Sequence, residues 1–126
     1  MRVVVADRQA SVRYALKVLL LRQKMMEIVG EAQNMASLME QMLQREPDLI
    51  LLDWELPGMK GLSSIAVLRD LNPKLTIIAM SGLPGVRREA LAAGVNGFIQ
   101  KTEPPDRLLD LLKHFGAQAS DIQPQL

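Results

Sequence analysis

The sequence predicts an α/β fold in which five strands alternate with five helices around one parallel sheet. Two observations lead to this prediction. Five short apolar segments, mostly β-branched or aliphatic, recur along the 126 residues, and the segments between them carry apolar residues at helical spacing. Because alternating strands and helices with short links require right-handed crossovers, the strands should be parallel, with helices on both faces of the sheet.

The five apolar segments predict the strands in order. They are residues 3–6, 27–30, 49–52, 75–80 and 97–100. The third segment is apolar throughout, which is typical of a central strand that is covered on both faces.

A helix is predicted after each strand. In the first, Val12, Leu16 and Leu20 lie at i, i+4 and i+8, with Leu19 beside them. The apolar positions of the other four helices are Leu38, Met42 and Leu43; Ile65, Leu68 and Leu71; Leu91 and Val95; and Leu108, Leu109, Leu111 and Leu112, which follow Pro104 and Pro105. Residues 116–126 have little periodicity, so we predict a domain over residues 1–115 and a tail or linker start over 116–126.

The second helix also carries a stripe of methionines, at positions 35, 39 and 42. Methionine fills irregular gaps in cores and is also used at adaptable binding surfaces. Of these two roles we expect the first.

Length and composition exclude several classes of protein. The chain has 14.0 kDa of mass and a formal net charge of +1, which argues against a dedicated nucleic-acid-binding domain. It has no cysteine and one histidine, His114, so disulfides, thiolate sites and multi-histidine zinc sites are excluded. No signal peptide and no apolar run long enough to span a bilayer is present, so we expect a cytoplasmic protein without membrane contact.

Four polar residues follow predicted strands at the point where each strand ends. Asp7 follows the first, Asp53 the third, Ser81 the fourth and Lys101 the fifth. Each alone could be ordinary cap, turn or surface chemistry. Because the carboxyl ends of parallel strands meet at one edge of the sheet, all four should converge there. A carboxylate that attacks phosphorus, a cation and a hydroxyl together predict a phosphoryl site.

Three sequence blocks carry a family resemblance. The segment PDLILLDWELPGMKG, residues 47–61, resembles the block PDxxLxDxxMPxMxG, with Leu56 in place of the usual Met. AMSG at residues 79–82 and ALAAGVNGFIQK at residues 90–101 follow in the expected order. Over residues 2 to 115 the chain resembles the receiver domains of response regulators, the CheY-like superfamily. Its GEAQN and AAGVNGFIQK segments are most similar to receivers of LuxR-type helix-turn-helix regulators.

The resemblance implies a flavodoxin-like sheet with strand order 2-1-3-4-5 and a role in two-component signalling. Asp53 would accept a phosphoryl group from a sensor histidine kinase, and Lys101 would pair with it. Ser81 would bond a phosphoryl oxygen and, as a switch residue, pull its loop inward. Such a domain is a signalling module rather than an enzyme, beyond its own phosphotransfer and dephosphorylation.

The resemblance also implies a Mg²⁺ site and an aromatic switch. Asp7, Asp53 and the backbone carbonyl of Glu55 would be the metal ligands. Phe98 occupies the position of a switch residue that is often Tyr. Since Phe lacks the hydroxyl, simple core packing is an equally good interpretation of Phe98.

Arg8 departs from the family pattern, which has two adjacent acids after the first strand. Aligning Val12 and Arg13 with the family puts Asp7 at the first acid and Arg8 at the second; a one-residue shift would instead make Ala6 and Asp7 the pair. With Arg8 at the second position, Mg²⁺ binding should be weakened rather than abolished, because Mg²⁺ can bind through one or two carboxylates. The carboxylate of Glu55 could assist the metal, or a bidentate pair between Arg8 and Asp53 could stand in for it.

Two functions therefore stay open. In one, phosphorylation of Asp53 switches an output through the face formed by the fourth helix, fifth strand and fifth helix. In the other, the domain is an atypical receiver that acts as a phosphorylation-independent interaction module. A haloacid-dehalogenase-like phosphatase and a flavodoxin-type FMN protein fit less well, because residues 53–55 read DxE rather than DxD and the first strand is followed by no Ser/Thr-rich loop.

The expected partners are a sensor histidine kinase and an output domain, C-terminal or separate, for which DNA binding is the expected form. This domain itself should contact neither nucleic acid nor membrane. A homodimer could form through Leu83, Val86, Phe98 and the outer residues of the last helix. Helices one and five are the competing dimer surface.

Overall fold

The computed structural model describes residues 1–122, in which five strands and five helices alternate. The strands are β1 (Arg2–Ala6), β2 (Glu27–Ala32), β3 (Leu49–Asp53), β4 (Thr76–Ser81) and β5 (Gly97–Gln100). The helices are α1 (Ala10–Leu20), α2 (Met35–Arg45), α3 (Leu62–Leu71), α4 (Val86–Ala92) and α5 (Pro105–Ile122). Each predicted strand is present, with ends that differ from the prediction by at most two residues.

The strands form one parallel sheet in the order β2-β1-β3-β4-β5, which confirms the predicted fold class. The register pairs Ala6 with Leu52, Asp53 with Met80, and Ser81 with Gln100. The carboxyl ends of β1, β3, β4 and β5 therefore lie side by side, so the residues that follow them share one edge of the sheet.

The sheet divides the core into two apolar layers. Leu49 and Leu51 of β3 pack in the layer that contains α1 and α5, whereas Ile50 and Leu52 pack in the layer that contains α2, α3 and α4. Successive side chains of a strand point to opposite faces, so burial on both sides requires a continuous apolar run. This is the physical reason for the unbroken apolar sequence before Asp53.

The methionine stripe belongs to the core, as predicted. Met42 is buried, and Met35 and Met39 pack against the same apolar layer. α2 begins at a capping box in which Asn34 accepts a hydrogen bond from the backbone N–H of Ser37, and the hydroxyl of Ser37 accepts one from the backbone N–H of Asn34. The backbone N–H of Met35 also donates to the carbonyl of Pro57 at 2.8 Å, which anchors the loop after β3.

The same loop contains a position that requires glycine. Gly58 has φ of +89°, and a Cβ there would lie 3.1 Å from the Cβ of Met35. Both the left-handed backbone and the close approach of α2 favour glycine, so the loop that follows Asp53 is shaped by its own sequence.

Residues 116–122 continue α5, so the helix extends beyond residue 115 into a segment whose sequence shows little periodicity. The physical reason is that Gly116 is buried against Met25 and Met26, where small residues allow close packing without creating a hydrophobic period. Residues 123–126 lie outside the described part of the chain, and the division into a domain and a linker start at residue 115 stays a prediction. No helix within residues 1–122 is long and apolar enough to cross a membrane.

Four further sequence assignments need correction. Leu43, Leu71 and Leu91, predicted among the apolar positions of their helices, are all exposed, because other residues form the buried faces: Leu38 and Met42 in α2, Ile65 and Leu68 in α3, and Val86 and Ala90 in α4. Val95 is buried but lies beyond the end of α4, which stops at Ala92.

Candidate functional site

The edge of the sheet at the strand ends brings together the four predicted polar side chains. Asp7, Asp53 and Ser81 are completely buried, and Lys101 is 17% exposed. The ammonium of Lys101 lies 2.8 Å from Oδ2 of Asp7 and 3.3 Å from Oδ1 of Asp53. One cation therefore bridges the two carboxylates, which reduces the cost of burying both of them.

Asp53 is held by backbone groups on both of its oxygens. Oδ1 accepts a hydrogen bond from the backbone N–H of Glu55 at 3.0 Å, and Oδ2 accepts one from the backbone N–H of Arg8 at 3.3 Å. The first is a short-range Asp turn that forms because Asp53 is the last residue of β3. The carboxylate thus has a fixed orientation next to Lys101.

Asp7 has two roles at once. Its Oδ1 accepts a hydrogen bond from the backbone N–H of Gln9 at 2.9 Å, just before α1 begins, while its Oδ2 pairs with Lys101. The ordinary turn role and the expected site role are therefore compatible, since each uses a different oxygen.

Arg8 stands beside Asp53 and reaches out to solvent. Its Nε lies 3.8 Å from Oδ2 of Asp53, and its side chain is 50% exposed. This is a single contact through Nε, so the alternative of a bidentate pair between Arg8 and Asp53 is wrong. The carboxylate of Asp7 reaches the site, as both alignments of the acid pair require, so the position of Arg8 at the second acid stays a prediction.

Ser81 is hydrogen-bonded to Glu55, which the sequence predicted at a metal. The hydroxyl of Ser81 donates to the carboxylate of Glu55, at 2.8 Å from Oε1 and 2.9 Å from Oε2. The backbone N–H of Gly82 lies 3.3 Å from the same Oε1, and the backbone N–H of Leu83 donates to the Ser81 hydroxyl at 3.0 Å. We expected Glu55 at a metal, through its carbonyl or its carboxylate. The strand register accounts for this contact, since pairing of Asp53 with Met80 puts Ser81 next to the loop after Asp53.

Phe98 lies in the core. It is 1% exposed and packs in the layer of α2, α3 and α4. The guanidinium carbon of Arg87 lies 5.1 Å from its ring centroid, within cation–π range, and Arg87 also bonds Glu103 at 3.1 Å. Val86 is buried as well, so of the three residues expected on a dimer face only Leu83 is exposed. Val86 and Phe98 belong to short elements, α4 and β5, whose few residues do not show in the sequence which side chains face the core.

Comparison with known proteins identifies the family of the chain. The family model described as the response regulator receiver domain matches residues 3–113. The chain belongs to the response-regulator receiver family. Within that family it is 30% identical over 109 residues to the transcriptional regulatory protein DesR of Bacillus subtilis, a match that covers 86% of this chain and 55% of DesR. It is 31% identical over 113 residues to the chemotaxis protein CheY of Thermotoga maritima, covering 88% of this chain and 93% of CheY.

Among solved structures, a two-component response regulator of the LuxR family from an Aurantimonas species superposes with a TM-score of 0.83 at 23% identity, covering 93% of this chain and 85% of that one. This similarity establishes a common fold. The chain spans about half the length of DesR. The function of the other half of DesR is therefore not transferred to this chain.

Receiver domains typically use Mg²⁺ at the phosphorylation site, and the side chains here do not form a three-carboxylate metal site. Asp7 and Asp53 face Lys101 and Arg8, so the four side chains carry no net charge. Within residues 1–122 no group of three or more Asp, Glu, His or Cys side chains is arranged to hold an ion.

Proposed function

We propose that this receiver accepts a phosphoryl group on Asp53 from the phosphohistidine of a sensor histidine kinase. The observation that carries the proposal is the fully buried Asp53 carboxylate with the ammonium of Lys101 at 3.3 Å and the hydroxyl of Ser81 at the next strand end. An anionic acceptor, a fixed cation and a hydroxyl donor are the groups that phosphoryl transfer needs in one place.

In the proposed transfer, a carboxylate oxygen of Asp53 attacks phosphorus. The new O–P bond forms as the P–N bond of the phosphohistidine breaks, and the electron pair returns to the imidazole nitrogen. Lys101 offsets the negative charge of the transferred oxygens, and Ser81 can donate a hydrogen bond to one of them. The receiver is thus the acceptor of the group rather than an enzyme acting on a separate substrate.

Arg8 sets the rate in this proposal. Asp53 has no exposed surface, and the Arg8 guanidinium lies on its Oδ2 side, where it also opposes a second cation. We therefore propose weakened Mg²⁺ binding and slow phosphorylation in the natural chain. Since half of the Arg8 side chain is already in solvent, its displacement is a local movement.

Labelling with acetyl phosphate at millimolar Mg²⁺ tests this function. We expect slow labelling of the natural chain, at least about tenfold faster labelling of Arg8→Asp, and none of Asp53→Asn. Fast labelling of the natural chain would refute the role of Arg8. An absence of labelling in both the natural chain and Arg8→Asp would refute the phosphoacceptor function itself.

The second candidate is a phosphorylation-independent interaction module. It is favoured by one observation: the charged and polar groups of the site are already satisfied by the chain, with Arg8 beside Asp53 and Glu55 bonded to Ser81. An absence of labelling would leave this as the function.

The surfaces around the site would transmit the state of the domain to an output module. We propose that a DNA-binding or other output module, C-terminal or separate, reads the state of the domain at α4, β5 and α5. For a homodimer we favour the face of α1 and α5, because Tyr14 of α1 and Leu21 directly after it are 68% and 80% exposed, whereas Val86 and Phe98 are buried. Sedimentation of Leu21→Glu against Leu83→Glu tests this. Loss of a dimer in the Leu83 variant alone would refute it.

A further inference from the structure

We propose that the carboxylate of Glu55 is a built-in competitor for the donors that would hold a phosphoryl group on Asp53. This inference rests on the proposed phosphoacceptor function and concerns the regulation of the same site. Glu55 takes the Ser81 hydroxyl with both oxygens, at 2.8 and 2.9 Å, and one of these oxygens lies 3.3 Å from the Gly82 backbone nitrogen.

The location of these donors makes the competition direct. Asp53 pairs with Met80 in the sheet, and the backbone N–H of Trp54 donates to the carbonyl of Met80 at 2.8 Å. Ser81 and Gly82 therefore lie at the end of β4, next to the loop that starts at Asp53. A phosphoryl group on Asp53 would present anionic oxygens to this end of β4, with the same hydrogen-bonding chemistry as a carboxylate.

The hydroxyl of Ser81 cannot serve both anions. A serine hydroxyl has one proton to donate, and here Glu55 receives it. The acceptor side of the same oxygen is also engaged, because the backbone N–H of Leu83 donates to it at 3.0 Å. Occupancy of the phosphoryl position thus requires Glu55 to release Ser81, and Glu55 acts as a positioning residue that lowers the occupancy of the site.

The competition also reaches the loop between β4 and α4. Leu83 bonds the Ser81 hydroxyl through its N–H, and its carbonyl accepts a hydrogen bond from the side chain of Gln100 at 3.0 Å. In the unmodified protein, Leu83 thus connects the Ser81 hydroxyl, which Glu55 binds, to Gln100 of β5. A phosphoryl group would replace one anion by another at the same donor.

Beryllofluoride, an analogue of the phosphoryl group, tests the competition on the full chain at a fixed Mg²⁺ concentration. The variants are Glu55→Gln, Ser81→Ala and their double variant, and Trp54 fluorescence reports binding because Trp54 adjoins Asp53. Glu40→Gln, on the exposed surface of α2, is the control for loss of one negative charge. We expect Glu55→Gln to bind beryllofluoride about tenfold more tightly, because charge-assisted hydrogen bonds are the strong ones, and Glu40→Gln to leave the affinity unchanged.

The Ser81→Ala background separates competition from simple charge repulsion. If Glu55 acts through the Ser81 hydroxyl, the gain from Glu55→Gln shrinks in the Ser81→Ala background to about threefold or less. An equal gain in both backgrounds means that Glu55 acts only through its charge, and this overturns the proposal. A failure of Glu55→Gln to bind beryllofluoride more tightly than the natural chain overturns it too.

Urea unfolding of the natural chain, Glu55→Gln, Ser81→Ala and their double variant gives a readout that needs no ligand. The Ser81–Glu55 bond predicts a coupling of at least about threefold in the unfolding equilibrium constant; no coupling would contradict the bond. These results are distinct from failure of the phosphoacceptor function, which would appear as absent acetyl phosphate labelling of both the natural chain and Arg8→Asp.

Discussion

Replacing Arg8 by Asp reverses the sign of the charge that faces Asp53 and should exchange intrinsic stability for dependence on Mg²⁺. In the natural chain, Asp7 and Asp53 are balanced by Lys101 and Arg8. After the substitution, three carboxylates would face one ammonium. The site would then carry surplus negative charge in the absence of a metal.

The magnitude follows from the distance. A unit charge 3.8 Å from Oδ2 of Asp53 is worth about 4 kcal/mol at an effective dielectric constant near 20. The Arg8 side chain is half exposed, and exposed pairs contribute about 1 kcal/mol or less after solvent screening. Loss of this attraction and a repulsion of similar size give an expected destabilisation of about 2 kcal/mol without divalent cations.

Mg²⁺ should restore part of this loss in the variant. A ligand at ten times its dissociation constant stabilises the native state by about 1.4 kcal/mol. The assay is urea unfolding, followed by far-UV circular dichroism, with and without 10 mM Mg²⁺, a concentration we choose as roughly saturating for an exposed carboxylate site. Arg8→Gln is the matched control, because it removes the cation without adding a carboxylate and should gain less stability from Mg²⁺ than Arg8→Asp does.

An equal gain in stability from Mg²⁺ in the natural chain and in Arg8→Asp would refute this role of Arg8. Equal stability of Arg8→Asp and the natural chain in the absence of divalent cations would refute it too. In either case Arg8 would not contribute to the charge balance of the buried acids.

Three further substitutions test other parts of the structure by urea unfolding. Lys101→Met should cost about 3 kcal/mol or more, because it leaves two buried carboxylates without their shared ammonium; an unchanged midpoint would contradict the bridging role. The hydrogen bond from Lys17 lowers the pKa of Glu31 below 4.5, so the stabilisation from Glu31 is present at neutral pH and lost as the pH falls through the lowered pKa. With Glu31 39% exposed, Glu31→Gln should cost at most about 1 kcal/mol at pH 7 and progressively less as the pH falls through the lowered pKa, and a deficit that does not shrink in acid would argue against this linkage. Arg69→Met should cost about 2 kcal/mol, because it removes donors to two backbone carbonyls and to the Asn96 side chain, and a cost within 0.5 kcal/mol of zero would contradict it.

The sequence was sufficient for the features that depend on periodicity and chain order. Strand β3 could be placed because burial on both faces requires an unbroken apolar run, and the convergence of Asp7, Asp53, Ser81 and Lys101 follows from parallel strands alone. Both features depend on the order and burial of the strands, which the hydrophobic pattern of the sequence shows directly.

Features that depend on one side chain's direction could not be predicted. The Glu55 carboxylate bonds Ser81 because of the local course of the loop after Asp53, and no residue pattern encodes that direction. The continuation of α5 past Gly116 was missed for another reason. Close packing of a glycine against Met25 and Met26 stabilises a helix without producing the apolar period by which helices are recognised.

Arg8 and Glu55 act on different sides of the site, and this separation leads to a final prediction. Arg8 contacts Oδ2 of Asp53, whereas Glu55 occupies the Ser81 hydroxyl at the end of β4. Arg8→Asp should favour binding of a cation next to Asp53, and Glu55→Gln should free hydrogen-bond donors for the phosphoryl oxygens.

Because the two residues engage different groups, their effects on the initial rate of acetyl phosphate labelling should multiply in Arg8→Asp/Glu55→Gln. If each single change gives about a tenfold increase, the double variant should label about a hundredfold faster than the natural chain, within about a factor of two. The Asp53→Asn version of the double variant is the control and should not label. A double variant no faster than the better single variant would mean that Arg8 and Glu55 limit one common step, such as access to the buried Asp53, and would refute the separate roles of cation and anion.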